Sequence, residues 1–286
     1  MSYRDVFYTK NSVYERKIQM KKLIQLTLSL MLLTIIIPSH LALAKSDVDS
    51  IQKKGKLVLG TSADFPPFEW VVLKEGKEEI IGVDIELAQK IADELDVELE
   101  VRNMGFDTLI QSVKAGRIDI ALAGLNQTEE RAKQIDFSTP YYQGESYILI
   151  PKEHENKIKS LEDLKGLKVG AQKATIQEGY LVDSDIEMNI ISMQKNDVLI
   201  EALKTGQLDA VLMDGVTAGE FLRKDSEVIT KANQAISNSG AGQSAVVAKG
   251  NETLLEVVNK VIEQSKEKDE INQAIEKYLD LAAQQQ

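Results

Sequence analysis

The stretch DTLIQSVKAGRIDIALAG, residues 107–124, returns ninety residues later as DVLIEALKTGQLDAVLMD, residues 197–214. Each copy opens on an Asp suited to cap a helix, spaces its apolar residues as a helix does, reaches a Gly where a helix would stop, and runs on into an apolar strand. Asp107/Asp197, Leu109/Leu199, Ile110/Ile200, Lys114/Lys204, Gly116/Gly206, Asp119/Asp209 and Leu122/Leu212 match. Those matches fit an internal duplication, and they fit equally the shared demands of any helix–Gly–strand unit. Either way the chain holds two α/β units of one build.

The alternation continues around both copies. KLVLGTS (56–62) suits a buried strand and ends in ADFPPFEW, where two adjacent prolines forbid extending the ladder. Ile85, Leu87, Ala88, Ile91, Ala92 and Leu95 fall at helical spacing, and VELEVR then alternates as a half-exposed strand does. From Ser160 the series restarts with LKVGAQ, a helix from about Thr175, NIISM, the second copy and GVTAGEFLRK. Strands alternating with helices imply mostly parallel sheets covered on both faces, and two such runs imply two α/β lobes. ESYILIPK (145–152) and the run around GQSAVVAK (242–249) are the expected crossings. The expected lobes are residues 45–145 with 241–286, and residues 146–240. The return of the C-terminal amphipathic helices to the first lobe rests in part on the resemblance described below.

The N-terminus reads as an address. Lys21 and Lys22 precede LIQLTLSLMLLTIII, Pro38 and LALAK, which is the order of a secretory signal peptide, with cleavage expected after Ala44. Met20 marks residues 1–19 as an upstream extension of the reading frame. The alternative is an uncleaved anchor, since the uncharged run from Leu23 to Ala44 approaches the ~20 residues that span a bilayer. Both place the rest of the chain outside the cytoplasm, in the periplasm or at the cell surface.

Composition removes several chemistries. The formal charge of -11 disfavours nucleic acid, which requires concentrated Lys and Arg. With no Cys, thiolate metal sites and Cys nucleophiles are excluded. The two His, His40 in the apolar leader and His154 among charges in KEHENK, leave at most one candidate for a catalytic triad or metal cluster. No metal or cofactor is expected.

In open α/β sheets ligands bind beyond the C-terminal ends of the strands. Those ends are Ala123-Gly124 in the first copy and Met213-Asp214 in the second. Gly124 permits close backbone approach, and Arg131, seven residues on, is suited to reach back as a bidentate carboxylate binder. Asp214 stands where a cation would be met. An anion receptor facing a cation receptor describes a site for an α-amino acid. The plainer alternatives are an Arg131 on a helix surface making local ion pairs and an Asp214 that only caps the next helix.

Taken together, GTSADFPPFE, GVDIELAQKIADEL, FDTLIQSVKAGRIDIALAGLNQTEERAKQIDFSTPYY, KSLEDLKGLKVGAQKAT and LDAVLMD resemble the extracellular solute-binding proteins of polar amino-acid ABC transporters, bacterial solute-binding protein family 3. The resemblance runs unbroken over residues 51–280. It implies the type II periplasmic-binding-protein fold, two α/β lobes joined by two hinge strands that close on a ligand. It also implies that Arg131 clamps the α-carboxylate, helped by backbone N–H groups near Asn126 and Thr175. Asp214 and the carbonyl of Gly124 would take the α-ammonium beside Ala123, and Phe65 and Phe106 would sandwich the side chain. Ser62, Asp64 and Gln172 match positions that vary with the substrate. Many relatives carry an acid in place of Ser62, or a Ser or Thr in place of Asn126, so the side-chain pocket is this chain's own. The lipidated Cys of many Gram-positive relatives is absent.

The expected function is therefore capture of a polar L-amino acid, leaning to arginine or lysine because Asp64 and the aromatic pair suit a cation, and delivery to membrane permease subunits by a monomeric protein. Glutamine or another neutral polar amino acid is the alternative. A cyclohexadienyl dehydratase-like enzyme on the same fold is the rival from another class, although no acid or base is left over for catalysis. Trp70, next to the pocket loop, is expected to report on ligand.

Overall fold

The computed structural model describes residues 47–238 and 242–284. The leader read at residues 1–44, and residues 239–241 just before the second expected crossing, lie outside the described residues. The chain begins with α1 (Val48–Lys54), capped by the Asp47 carboxylate on Ser50 N–H at 2.8 Å, and β1 (Lys56–Thr61). Three short strands follow, β2 (Asp64–Phe65), β3 (Glu69–Lys74) and β4 (Lys77–Ile81), forming their own sheet. Next come α2 (Val83–Glu94), β5 (Glu98–Asn103), a 3-10 turn (Phe106–Thr108) running into α3 (Leu109–Lys114), β6 (Ile120–Ala121), α4 (Glu129–Ala132) and β7 (Ile135–Phe137). The second series is β8 (Glu145–Pro151), β9 (Lys168–Gln172), α5 (Ile176–Val182), β10 (Asn189–Met193), α6 (Asn196–Lys204), β11 (Ala210–Asp214), α7 (Gly215–Lys224) and β12 (Ile229–Ser237). β13 (Val246–Ala248), α8 (Glu252–Glu267) and α9 (Glu270–Gln284) complete the chain. No described helix is long and apolar enough to cross a membrane.

Two five-stranded sheets carry the two lobes. The first has the order β5-β1-β6-β13-β7 and the second β10-β9-β11-β8-β12. In each, three strands run parallel, with the earliest in the middle, and the strand beside the third is antiparallel. The two segments expected to cross between lobes become these antiparallel strands. β8 enters the second sheet between β11 and β12, and β13 enters the first between β6 and β7. α8 and α9 return to the first lobe, where Leu254, Val258, Ile262 and Ile271 pack with Leu57, Leu59, Leu87 and Ile91.

The repeat extends into tertiary detail. Gly60 of β1 pairs with Ala121, and Gly170 of β9 pairs with Val211, which is Ala121 shifted by ninety residues. A Cβ on Gly60 would meet Ile118 and Leu109, and one on Gly170 would meet Leu208 and Leu199, the same two positions in the other copy. The Asp119 carboxylate accepts Val58 N–H at 2.7 Å and its own N–H donates to Val58 O; Asp209 does both with Lys168. One side chain thus fixes the register of the central parallel pair in each lobe. That register sets where Gly124 and Asp214 emerge.

The two locks differ in surroundings. Asp119 is buried and also accepts from Lys54 Nζ at 2.6 and 2.5 Å, whereas Asp209 is half-buried. Asp119→Ala strands a buried N–H and a lysine, and is expected to lower unfolding free energy by about 2–3 kcal/mol. Asp209→Ala, where water can replace the carboxylate, is expected to cost about 1 kcal/mol. Urea denaturation followed by circular dichroism measures both, and equal losses would contradict this assignment.

Candidate functional site

The C-terminal ends of β1 and β6 face those of β9 and β11 across a cleft. There the two lobes enclose about 490 Å³, counting the open mouth. Ser62, Asp64, Phe65, Phe106, Ala123, Gly124, Asn126, Arg131, Gln172, Thr175 and Asp214 all lie on its walls. Hydrogen bonds cross the cleft on both sides. Arg131 Nη2 donates to Ala174 O at 2.7 Å, Asn196 N–H donates to Asp64 Oδ2 at 2.8 Å, and Thr217 Oγ1 donates to Pro66 O at 2.8 Å.

Arg131 lies in α4, which Thr128 caps by accepting Arg131 N–H. The side chain turns inward, where Nη1 donates to Asn126 O at 2.6 Å and the guanidinium stands 5.7 Å from the centre of the Phe106 ring. Burial lowers its pKa to about 10, so it stays charged at neutral pH. These two bonds to neutral carbonyls use two of its five N–H groups, so charge and donors remain for a carboxylate. Thr175 caps α5 by accepting Glu178 N–H at 3.2 Å.

Asp214 both caps a helix and lines the cavity. Oδ1 accepts Val216 N–H at 3.1 Å, and Oδ2 lies 3.4 Å from Gln243 Nε2. Burial raises its pKa to about 6 against these bonds. Asp64 is also pushed to about 6 by burial, although Asn196 N–H stabilises its charge. Its carboxylate accepts from Ser62 Oγ at 3.3 Å and Gln172 Nε2 at 3.4 Å, and Gln172 Nε2 also donates to Gln194 O at 3.0 Å. Part of the hydrogen-bonding capacity expected for a ligand is thus used to hold the other lobe.

Gly124 has φ +59°, and a Cβ there would lie 2.7 Å from the Phe65 ring, so its lack of a side chain is what lets that ring cover the strand end. Phe65 stacks on Phe68 at 5.3 Å, and Phe68 touches Tyr142 at 5.0 Å. Trp70 does not line the cavity. It packs edge-on against Tyr278 at 5.6 Å in the core of the first lobe, and its neighbour Glu69 is the residue that reaches the cavity wall. Successive side chains of a strand point to opposite faces, and the parity of β3 is set by the turn that precedes it.

Glu69, Asn196 and Gln243 also line the cavity and were not singled out from the sequence. Glu69 is fully buried, and neither carboxylate oxygen has a hydrogen-bond partner among the described residues. Burial, then Asp84, then Asp64 push its pKa well up. Burial raises Asp84 to about 7 even though Tyr141 Oη donates to it at 2.9 Å. The available signal was an acid in the otherwise apolar run FEWVVL. Among the described residues, no group of three or more His, Asp or Glu could hold a metal ion.

Comparison with known proteins places this geometry in a family. Residues 57–281 match the model of the bacterial extracellular solute-binding proteins, family 3. The arginine-binding extracellular protein ArtP of Bacillus subtilis is 32% identical over 239 residues, covering 83% of this chain and 91% of that protein. The L-cystine-binding protein TcyJ of Escherichia coli is 30% identical over 215 residues, covering 75% and 79%. The crystal structure of the amino-acid ABC transporter substrate-binding protein AbpA from Streptococcus pneumoniae, bound to L-arginine, superimposes with a TM-score of 0.79 at 38% identity, covering 82% of this chain and 98% of that one. The chain belongs to the bacterial extracellular solute-binding proteins, family 3, and has their two-lobed type II fold.

Proposed function

We propose that this protein captures L-arginine, with lysine the next choice, between lobes formed by residues 45–145 with 241–286 and by residues 146–240, and delivers it to the permease of an amino-acid ABC importer. The carrying observation is the charge inventory of the cavity, in which one guanidinium, Arg131, stands among three carboxyls, Asp64, Glu69 and Asp214. Pairing an α-carboxylate with Arg131 and an α-ammonium with Asp214 uses one charge of each sign. Asp64 and Glu69 remain; burial favours the neutral form of Glu69, so Asp64 is the carboxylate left over, and a ligand with a third, cationic group suits it. Phe65 and Phe106 suit the flat face of a guanidinium. The similarity to ArtP and to arginine-bound AbpA supports the choice, and the similarity to TcyJ keeps larger neutral amino acids in the test.

Family members bind and hand over solutes, and the site's acids are accounted for by binding. Export by the N-terminal leader and action as a monomer belong to the same proposal. A thermal-shift screen of the twenty amino acids tests the ligand: a ligand at 100 times its Kd adds about 2.7 kcal/mol of stability. The largest shift is expected with L-arginine. Arg131→Ala and Asp214→Ala each remove one partner of a buried ion, and both are expected to weaken binding by at least ~30-fold in calorimetry. Near-wild-type affinity in both would refute the site.

Binding should also depend on pH. Asp64 and Asp214, raised to about 6 by burial, are partly protonated near that pH before ligand arrives. A cation favours their ionised forms and lowers their pKa, so binding releases protons and affinity rises with pH. Affinity for arginine is expected to be level above pH 7 and to fall below pH 6, by about tenfold per unit for each carboxyl. Calorimetry at pH 6 in buffers of different ionisation enthalpy should detect the released proton. Proton uptake would contradict the assignment.

A further inference from the structure

Asp107 opens the first copy of the repeat, where a helix cap was expected, yet it caps nothing. It lies within the 3-10 turn one residue beyond Phe106, outside the cavity wall, and its carboxylate faces the second lobe. Oδ2 accepts Lys173 Nζ at 3.0 Å and Gln194 Nε2 at 3.3 Å. The side chain is 17% exposed, so the pair is shielded on the acid's side while the lysine remains 51% exposed. The bond from Lys173 holds the Asp107 carboxyl below its usual range.

The space for this contact is built into the backbone. A Cβ on residue 105 would lie 2.9 Å from Asp107 Oδ1 and 3.3 Å from Gln194 Oε1, and residue 105 is Gly. The turn does not need the Asp107 side chain, because Thr108 N–H and Thr108 Oγ1 both donate to Gly105 O, at 2.9 and 2.7 Å. On the other lobe, Lys173 sits between Gln172, a cavity wall, and Ala174, whose carbonyl takes Arg131. The acid and the lysine therefore meet only when the walls they adjoin have come together.

We propose that Asp107 is a positioning residue that clasps the closed lobes through Lys173 and Gln194 and so sets how slowly a captured ligand leaves. The proposal rests on the reading that the cleft closes on an amino acid, and it is indifferent to which one, since the clasp touches no ligand. An ion pair formed only on closure is broken on opening, so its loss appears in the dissociation rate rather than in encounter.

The test is stopped-flow dissociation of L-arginine, and of L-glutamine in parallel, from the unaltered protein, Asp107→Asn, Lys173→Met and the double variant. Each single variant is expected to speed dissociation about 2- to 5-fold, with association within twofold. The double variant should match the singles rather than multiply them, and the difference should shrink in ~1 M salt. The melting midpoint of the ligand-free protein should not move. Unchanged dissociation in both singles, multiplicative effects in the double, or a slower association with a lowered ligand-free midpoint would each overturn the clasp. Failure with arginine while glutamine shows the expected factor falls on the ligand assignment and upholds the clasp.

Discussion

An ion stripped of water must find a partner, and a cleft that closes on a zwitterion strips several at once. This constraint organises the molecule. Arg131 is held by two backbone carbonyls that orient it without neutralising it, and Asp214 is held by the N-terminal turn of α7. The bond from Arg131 to Asn126 O and that from Val216 N–H to Asp214 each lie within one lobe, so part of the ordering of each charge does not depend on closure. Glu69 shows the opposite solution: fully buried beside Asp84, it meets desolvation by favouring its neutral form.

Both charges reach the cleft through one piece of local geometry used twice. The register between β1 and β6 is that between β9 and β11, locked by Asp119 and Asp209 and packed on the same Leu–Ile and Leu–Leu pairs around Gly60 and Gly170. Because the scaffolds coincide, Gly124 and Asp214 occupy equivalent strand ends. One lobe can then differ from the other by a handful of side chains, and the cleft gains two unlike walls without two unlike folds.

Much of this was readable in the sequence because it depends on short-range rules. Gly116 and Gly206 do adopt positive φ after their helices, and the strands that follow end in the cleft. The cap readings at Asp107 and Asp197 failed: α6 already starts at Asn196, so Asp197 lies inside the helix and its cap position is Lys195. Asp107 looked like a cap, but donors more than sixty residues away took its carboxylate. Trp70 follows FPPF, and one step of strand parity gives the cavity wall to Glu69 and turns the indole to Tyr278. Asn196 and Gln243 carried no local signal, since each matters only through what the opposite lobe or the returning chain brings near it.

The place of β13 has a consequence for how the chain matures. The second sheet is complete within residues 145–237, a continuous stretch, whereas the first cannot join β6 to β7 until residues 246–248 arrive to lie between them. A chain emerging from its N-terminus can finish the later-starting lobe while the earlier one still lacks its fourth strand and its last two helices. The half that begins the protein is the half that must wait, with β6 and β7 exposing unpaired edges in the interval.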